Sequence, residues 1–482
     1  MDTAHHATFP TPLKDRPSIR LITVGEPCTS SQARSDLLAK LALMKVVDTL
    51  AAAAQTTAKQ AKPFDLLDLP PEVRSQVYDH MIPLPRRDHL NFFVSCRKAH
   101  REACVSFFRR PLKCSTQARL MDFVAQRSQL NLTHVRTVTL HLQDIDAEKI
   151  QTFLEHISLN LVNKRHSNPY VLEQHRIADA LSKLPNLRHI ALIRPSHGMQ
   201  LPPRSFVDDL FCHIGQSCGH LQSLQTNIDT FNIQVLKHFH CLRALSISGF
   251  TKATPRQILE TLRSMTALQA LRLIGASSGN TWRSRHFKCQ DKISFPTPIA
   301  VQQMPAMKVL EIFELVDSRD PKPALLHPEM LKAICRTHAR GLEHLTISST
   351  AEPNSATIAF ITGLLIMATS LHHLALTWPG MDFDLLDFLP ETVKRLELAV
   401  TGSAQADAFL ARLDMMRHRL PFLRNIKLLV INEAAIFALD SGNHKEPHTV
   451  ALGMPLSLPP ASVNETSGWE ITWGIWQLVP AS

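Results

Sequence analysis

Cys212, Cys218, His220, His238, His240 and Cys241 gather three thiols and three imidazoles in one short stretch, the donor types that zinc takes. The Cys-x5-Cys step is loose for a structural zinc site, and Cys218, His220 and Cys241 border apolar segments that begin at Leu221 and Leu242. Buried thiols and solvated imidazoles are therefore the better reading, with no metal and no cofactor expected. The 25 histidines of the chain are scattered and read as composition. No Gly-x-Gly-x-x-Gly, phosphate loop, Gly-x-Ser-x-Gly or His-Glu-x-x-His occurs, and 15 glycines in 482 residues leave few phosphate-cradling turns. The chain reads as non-enzymatic, so what it does must lie in the surfaces its elements present.

Those elements announce themselves by repetition. Ten times between Val135 and Leu428 the chain writes an apolar residue, two variable residues, Leu, Ile or Val, one variable residue, and another aliphatic. Copies start at Val135, Leu187, Leu221, Leu242, Leu268, Met307, Leu342, Leu371, Val393 and Leu423, the third being degraded by Thr226 in its last position. The variable positions alternate with the apolar ones, so each copy offers a short strand with one buried and one free face. The phrase resembles the strand signature of the leucine-rich repeat, which implies an α/β solenoid. A free face repeated ten times is a binding surface. Alternation names Arg188, Arg243, Arg272, Glu343, His372 and Arg395 as candidates on it, the side each takes being set by register.

The segments between strands should return along the other side of the solenoid. Thr254-Pro255 predicts a cap followed by a first-turn proline, Ser205 with Asp208 has capping-box spacing, and Pro328-Glu329 predicts a helix that Gly341 closes. Intervals between strand starts run from 21 to 52 residues, so the array is a diverged one. One interval carries a Gly-, Ser- and Arg-rich insertion from Gly275 to Met304, with Trp282, Arg283, Arg285, His286 and Lys288. It is open between a contact loop, in which Trp282 and Arg285 would touch a partner, and an unstructured connection.

Charge is uneven. The net charge of +10 lies largely between Leu181 and Ala300, where fourteen Lys and Arg stand against five Asp and Glu. These bases are dispersed singly with little aromatic interleaving, which favours a solvated face over a nucleic-acid footprint. The arginines of the middle repeats suit an acidic or phosphorylated protein partner, and a neutral partner stays open. Nine cysteines without regular spacing point to free thiols in a reducing compartment, hence to the cytoplasm or nucleus. The N-terminus has no secretory signal pattern, and the longest apolar stretch, Ile358 to Met367, is too short to span a bilayer.

The flanks complete the plan. Residues 1–33, rich in Pro, Ser, Thr and His, read as a disordered tail, and residues 34–62 as an Ala-rich helix with Leu37, Leu41, Met44 and Val47 on one side. The solenoid is expected over 112–440. Residues 441–482 then supply a C-terminal cap, in which Trp469, Ile471 and Trp473 alternate as a terminal strand; a ligand-binding tryptophan cluster is the alternative.

Between helix and solenoid, residues 63–111 hold Leu66-Leu67-Asp68-Leu69-Pro70-Pro71-Glu72-Val73, then Val77, Tyr78 and Met81, then Cys96, Arg97 and Glu102. Apolar positions recur at three and four residues after a proline start, giving a helical hairpin too small to hold a core alone. This block resembles the F-box motif, particularly its fungal form, with three extra residues around Ile82 to Arg87 and Ala99 where many F-boxes carry Trp. The resemblance implies a small all-α domain that docks the adaptor subunit of cullin-RING ubiquitin ligases, and through it the cullin. Leu69, Pro70, Val73, Val77 and Tyr78 would form the adaptor-binding anchor. An F-box followed by leucine-rich repeats resembles the substrate receptor of such a ligase. The competing reading is a plain repeat scaffold, or a nucleic-acid-associated repeat protein, whose hairpin only caps the first repeat.

Overall fold

The computed structural model describes residues 68–81, 97–143, 169–194, 204–229, 231–251, 253–276, 293–316, 323–431 and 470–476. Contacts divide the chain into Met1–Ala51 and Ala52–Ser482, and every described residue belongs to the second unit. The expected tail and Ala-rich helix, and the tryptophan at 469, lie outside the described residues.

Twelve strands form one sheet in chain order, interrupted in numbering only by a small separate pair. They are β1 (Leu112–Cys114), β2 (Thr137–His141), β3 (His189–Ile193), β4 (Ser223–Thr226), β5 (Ala244–Ile247), β7 (Ala270–Ala276), β9 (Val309–Leu315), β10 (His344–Ser349), β11 (His373–Thr377), β12 (Arg395–Val400), β13 (Asn425–Ile431) and β14 (Glu470–Trp476). All neighbours run parallel. A parallel sheet in strict sequence order, with a crossover after each strand, is a solenoid.

Register explains the phrase. Its fourth positions pair in one continuous row, for example Val138 with Ile190, Ile190 with Leu224, and Leu396 with Ile426, and β14 extends the row with Ile471. First, fourth and sixth positions are buried in all ten copies, including Thr226, whose hydroxyl accepts from the Ile228 N–H at 3.0 Å. Three buried aliphatics per repeat contribute roughly 5–9 kcal/mol before chain entropy is subtracted. In nine repeats the first-position N–H donates to the carbonyl three residues back, as Leu242 does to Phe239 and Leu423 to Leu420. At Met307 buried His338 takes that role: its Nδ1 accepts from the Met307 N–H at 3.4 Å while Nε2 lies 2.8 Å from the Val301 carbonyl.

The crossovers carry helices α1 (Pro71–Met81) and α2 (Arg97–Arg109) before the sheet, then α3 (Gln117–Gln126), α4 (Gln129–Leu132), α5 (Pro169–Ser182), α6 (Arg204–Ser217), α7 (Pro255–Ser264), α8 (Pro298–Gln302), α9 (Pro328–Thr337), α10 (Ser355–Met367) and α11 (Ser403–Met415). The two shortest repeats, from Leu221 and from Leu371, return through 3₁₀ turns at Ile233–His238 and Phe383–Phe388, since so few residues leave no room for an α-helix.

Thr254 forms a complete capping box with Gln257 ahead of Pro255. Three expectations are corrected. Ser205 and Asp208 form no capping box: α6 starts at Arg204, and Asp208 instead accepts the Asn232 N–H at 2.6 Å, tying the helix to the next turn. Gly341 does not close α9, which ends at Thr337 on His338; a 3₁₀ turn, Ala339–Gly341, follows. The insertion is shorter than Gly275 to Met304. Gly275 lies inside β7, and Ile293–Ser294 (β8) pairs antiparallel with Phe250–Thr251 (β6). Beyond β8, α8 buries Ala300 and Val301, and Met304 follows them into the core.

Candidate functional site

The second, third, fifth and seventh positions of each phrase face away from the helices, and in-register pairing aligns them in rows. The second-position row begins Arg136, Arg188, Gln222, Arg243, Gln269 and Lys308. Its backbone is a regular ladder: each carbonyl accepts two N–H groups from the next strand, Arg136 from Arg188 and His189 at 2.9 and 3.0 Å, and Arg188 from Gln222 and Ser223 at 2.8 and 2.9 Å.

From β9 to β13 each glutamate of the free face has a basic partner. Lys308 donates to Glu343 at 2.7 Å. Arg272 stands 3.5 Å from Glu311 and 4.4 Å over the Phe313 ring. Glu397 gathers Arg395 at 2.8 Å, Lys427 at 3.2 Å and His373 Nε2 at 3.4 Å. Burial alone would push the Glu397 carboxyl up, but the His373 hydrogen bond and the charges of Lys427 and Arg395 hold it down at about 2. His344 and His373 meet through their Nδ1 atoms at 3.3 Å. Burial and the neighbouring His373 push His344 below the ordinary histidine range.

From β1 to β7 the face differs. Lys113, Arg136, Arg188 and Arg243 are exposed, and no Asp or Glu occupies a free-face strand position among the described residues. A recess of about 200 Å³ opens there, lined by Lys113, Thr139, His141, Ala191, Ile193 and Gln225.

Of the predicted surface residues, Arg188 and Arg243 stand in the second-position row with Glu343 and His372, Arg395 in the third and Arg272 in the fifth. Trp282 and Arg285 lie outside the described residues. Alternation applied to the first phrase also yields Arg136. Lys113 had no such signal, because β1 is too short to show the phrase.

The N-terminal helix pair is held by a charged clamp. Arg74 forks onto Glu102 at 2.7 and 2.8 Å and also donates to the Leu69 carbonyl, while Tyr78 donates to the same carboxylate at 3.1 Å. Hydrogen bonding to Glu102 raises the Arg74 guanidinium above its ordinary value. Tyr78 is 0 % exposed and faces α2, whereas Val73 is 40 % exposed, Pro70 is exposed, and Leu69 and Val77 are half-buried. Phe108 of α2 enters the solenoid core, 6.0 Å from Phe123, so the pair is seated on the first repeat. The remainder of the block, including Pro83 to Arg87 and Cys96, lies outside the described residues.

The thiols and imidazoles between 212 and 241 do not converge. Cys218 is buried at the end of α6, and burial pushes its thiol up to about 11, far from the thiolate that zinc binds. His220, His240 and Cys241 are exposed, and His238 packs against Gly215, whose added Cβ would lie 2.6 Å from it. Among the described residues no group of three His, Cys, Asp or Glu is placed to hold a metal ion, and no helix is long and apolar enough to cross a membrane. Cys114, Cys212, Cys218, Cys241 and Cys335 are free thiols.

No family model matches the chain, and no curated protein matches it in sequence. Similar solved structures include the TLR13–ssRNA13 complex, 13 % identical with a TM-score of 0.29, covering 64 % of this chain and 42 % of that one. An internalin (inlF) from Listeria monocytogenes is 13 % identical with a TM-score of 0.24, covering 60 % and 84 %. A Bacteroides fragilis protein is 10 % identical with a TM-score of 0.31, covering 64 % and 68 %. The chain spans less than half the length of the TLR13 chain. Likeness this loose carries no argument about function, and the solenoid stands on its own strand order.

Proposed function

We propose that this chain is the substrate-recruiting subunit of a cullin-RING ubiquitin ligase, holding the ligase adaptor at its helix pair and a protein substrate on the free sheet face. The observation that carries the reading is the state of the F-box-like strip. Pro70 and Val73 are exposed beside half-buried Leu69 and Val77, on a helix fixed by the Arg74, Tyr78 and Glu102 clamp. Short helical interfaces are built around such an apolar strip on a rigid helix. In this reading Tyr78 positions the helix from behind, and the adaptor touches Leu69, Pro70, Val73 and Val77. Ubiquitin transfer is then accelerated by proximity, with no catalytic residue on this chain.

A repeat scaffold is favoured by one observation: Phe108 anchors the pair in the solenoid core, as a cap would. Calorimetry of the full chain with the purified adaptor separates the two. Binding by the wild type, weakened at least about tenfold by Val73→Glu with the far-UV spectrum unchanged, supports the receptor. No binding by the folded wild type leaves the scaffold.

A further inference from the structure

We propose that the β1–β7 half of the free face binds an anionic protein segment, one carrying two or three phosphorylated or carboxylate side chains within about five residues. This rests on the receptor reading above and names the chemistry of its substrate.

Three observations meet on that half. First, Arg136, Arg188 and Arg243 stand in one row, and none of them makes an ion pair among the described residues. Neighbouring strands lie about 4.8 Å apart, so the three guanidinium stems span about 14 Å, which an extended peptide covers in four to five residues. Second, among the described residues no carboxylate stands on this half of the face to compete for them. On the other half every described glutamate of the face is paired, Glu311 with Arg272, Glu343 with Lys308, and Glu397 with Arg395 and Lys427. Lys394 and Arg424 continue the row ahead of β12 and β13, but only from β1 to β7 do the bases of the face stand with no described carboxylate on any of those strands. Third, a recess of about 200 Å³ opens on the same half, lined by Ala191, Thr139, Gln225 and Lys113 among others, with room for one side chain of a crossing peptide. Arginine is suited to such ligands because its planar fork matches phosphate and carboxylate. A nucleic acid fits less well, because among the described residues no Phe, Tyr or Trp occupies a strand position on this half of the face to stack a base.

The test is fluorescence anisotropy of the full chain with three labelled nine-residue peptides, alike except for two central positions occupied by phosphoserine, glutamate or serine. A single-stranded RNA of twelve nucleotides serves as a fourth probe. The variant Arg136→Gln, Arg188→Gln, Arg243→Gln is compared with Arg263→Gln, Arg336→Gln, Arg340→Gln, which removes the same charge from exposed positions on the helical side. The phosphoserine and glutamate peptides should bind in preference to the serine peptide, and their relative strengths identify the anion. The first variant should lose at least about tenfold in affinity and the second less than about twofold. Ala191→Leu, which fills the recess, should weaken binding without changing its salt dependence. Equal losses in both triple variants, equal binding of the serine peptide, tighter binding of the RNA, or no effect of Ala191→Leu would each overturn the assignment. Adaptor binding by the first variant keeps the outcomes apart: peptide binding lost with adaptor capture intact bears on the row alone, whereas a wild type that never binds the adaptor removes the receptor reading.

Discussion

Replacing Glu397 by Gln removes the hub of the ion network on β12 and β13 while keeping the size of the side chain. In the fold its carboxyl titrates at about 2 against an ordinary 4.5, because His373, Lys427 and Arg395 outweigh burial. At about 1.4 kcal/mol for each pH unit, that difference is worth roughly 3 kcal/mol at neutral pH. Arg395 and Lys427 keep 40 % and 22 % of their side-chain surface in solvent, so screening reduces the figure to roughly 1–3 kcal/mol. The sign follows from linkage. A carboxyl whose folded value is depressed stabilises the protein above its unfolded value and loses that contribution as pH falls from about 4.5 toward 2. Urea unfolding of the wild type and Glu397→Gln, followed by far-UV circular dichroism at pH 7, 4.5 and 3, reads the difference directly. Titrating groups away from Glu397, buried His338 among them, shift both proteins alike. The gap should be widest at pH 7, little reduced at pH 4.5, and down to roughly two-fifths of its pH 7 size at pH 3. A gap that stays constant with pH, or one absent at pH 7, would refute the reasoning.

Two further substitutions probe how the repeats are joined. Glu314 is 0 % exposed and accepts three backbone N–H groups, from Ala324 at 2.9 Å, Leu325 at 2.6 Å and Leu326 at 2.9 Å. Glu314→Ala orphans all three at about 1–3 kcal/mol each, so hydrogen exchange at residues 324–326 should rise by orders of magnitude while β2 and β3 stay protected; uniform protection would contradict this. His338→Leu leaves the Met307 N–H without a partner and takes one donor from the Val301 carbonyl, which keeps the Met304 N–H at 3.2 Å, and should lower the unfolding free energy by roughly 1–3 kcal/mol. A urea midpoint equal to the wild type's would show that the ring only fills space.

The repeat phrase was legible because its spacing of three and two is the physical signature of a turn feeding a strand. Leu242, Leu245 and Ile247 had to be buried together whatever lay between the repeats. What the phrase leaves unwritten is the crossover, whose form depends on how much room the flanking helices leave. Hence the 3₁₀ return at Ile233–His238, and Asp208 bonding Asn232 in place of a cap, were invisible in local spacing. His338 carries no local signal at all, since its partners are 31 and 37 residues away. On the surface, alternation assigned Arg188 and Arg243 to variable positions but could not distinguish them from Arg272, which Glu311 neutralises from the next strand. Only register made the arginine row and its missing counter-charges visible. The Arg74 and Glu102 clamp was hidden for the same reason, its members lying 28 residues apart on two helices.

The receptor assignment is tested most directly by affinity capture of the tagged full chain from its own cell extract, beside a Pro70→Ala, Val73→Glu variant, with bound proteins read by mass spectrometry. The account predicts that the ligase adaptor and cullin accompany the wild type and disappear from the variant, while proteins held by the repeats remain on both. Repeat-bound partners on both proteins, with adaptor and cullin on neither, would contradict it and leave the helix pair as the cap of a scaffold.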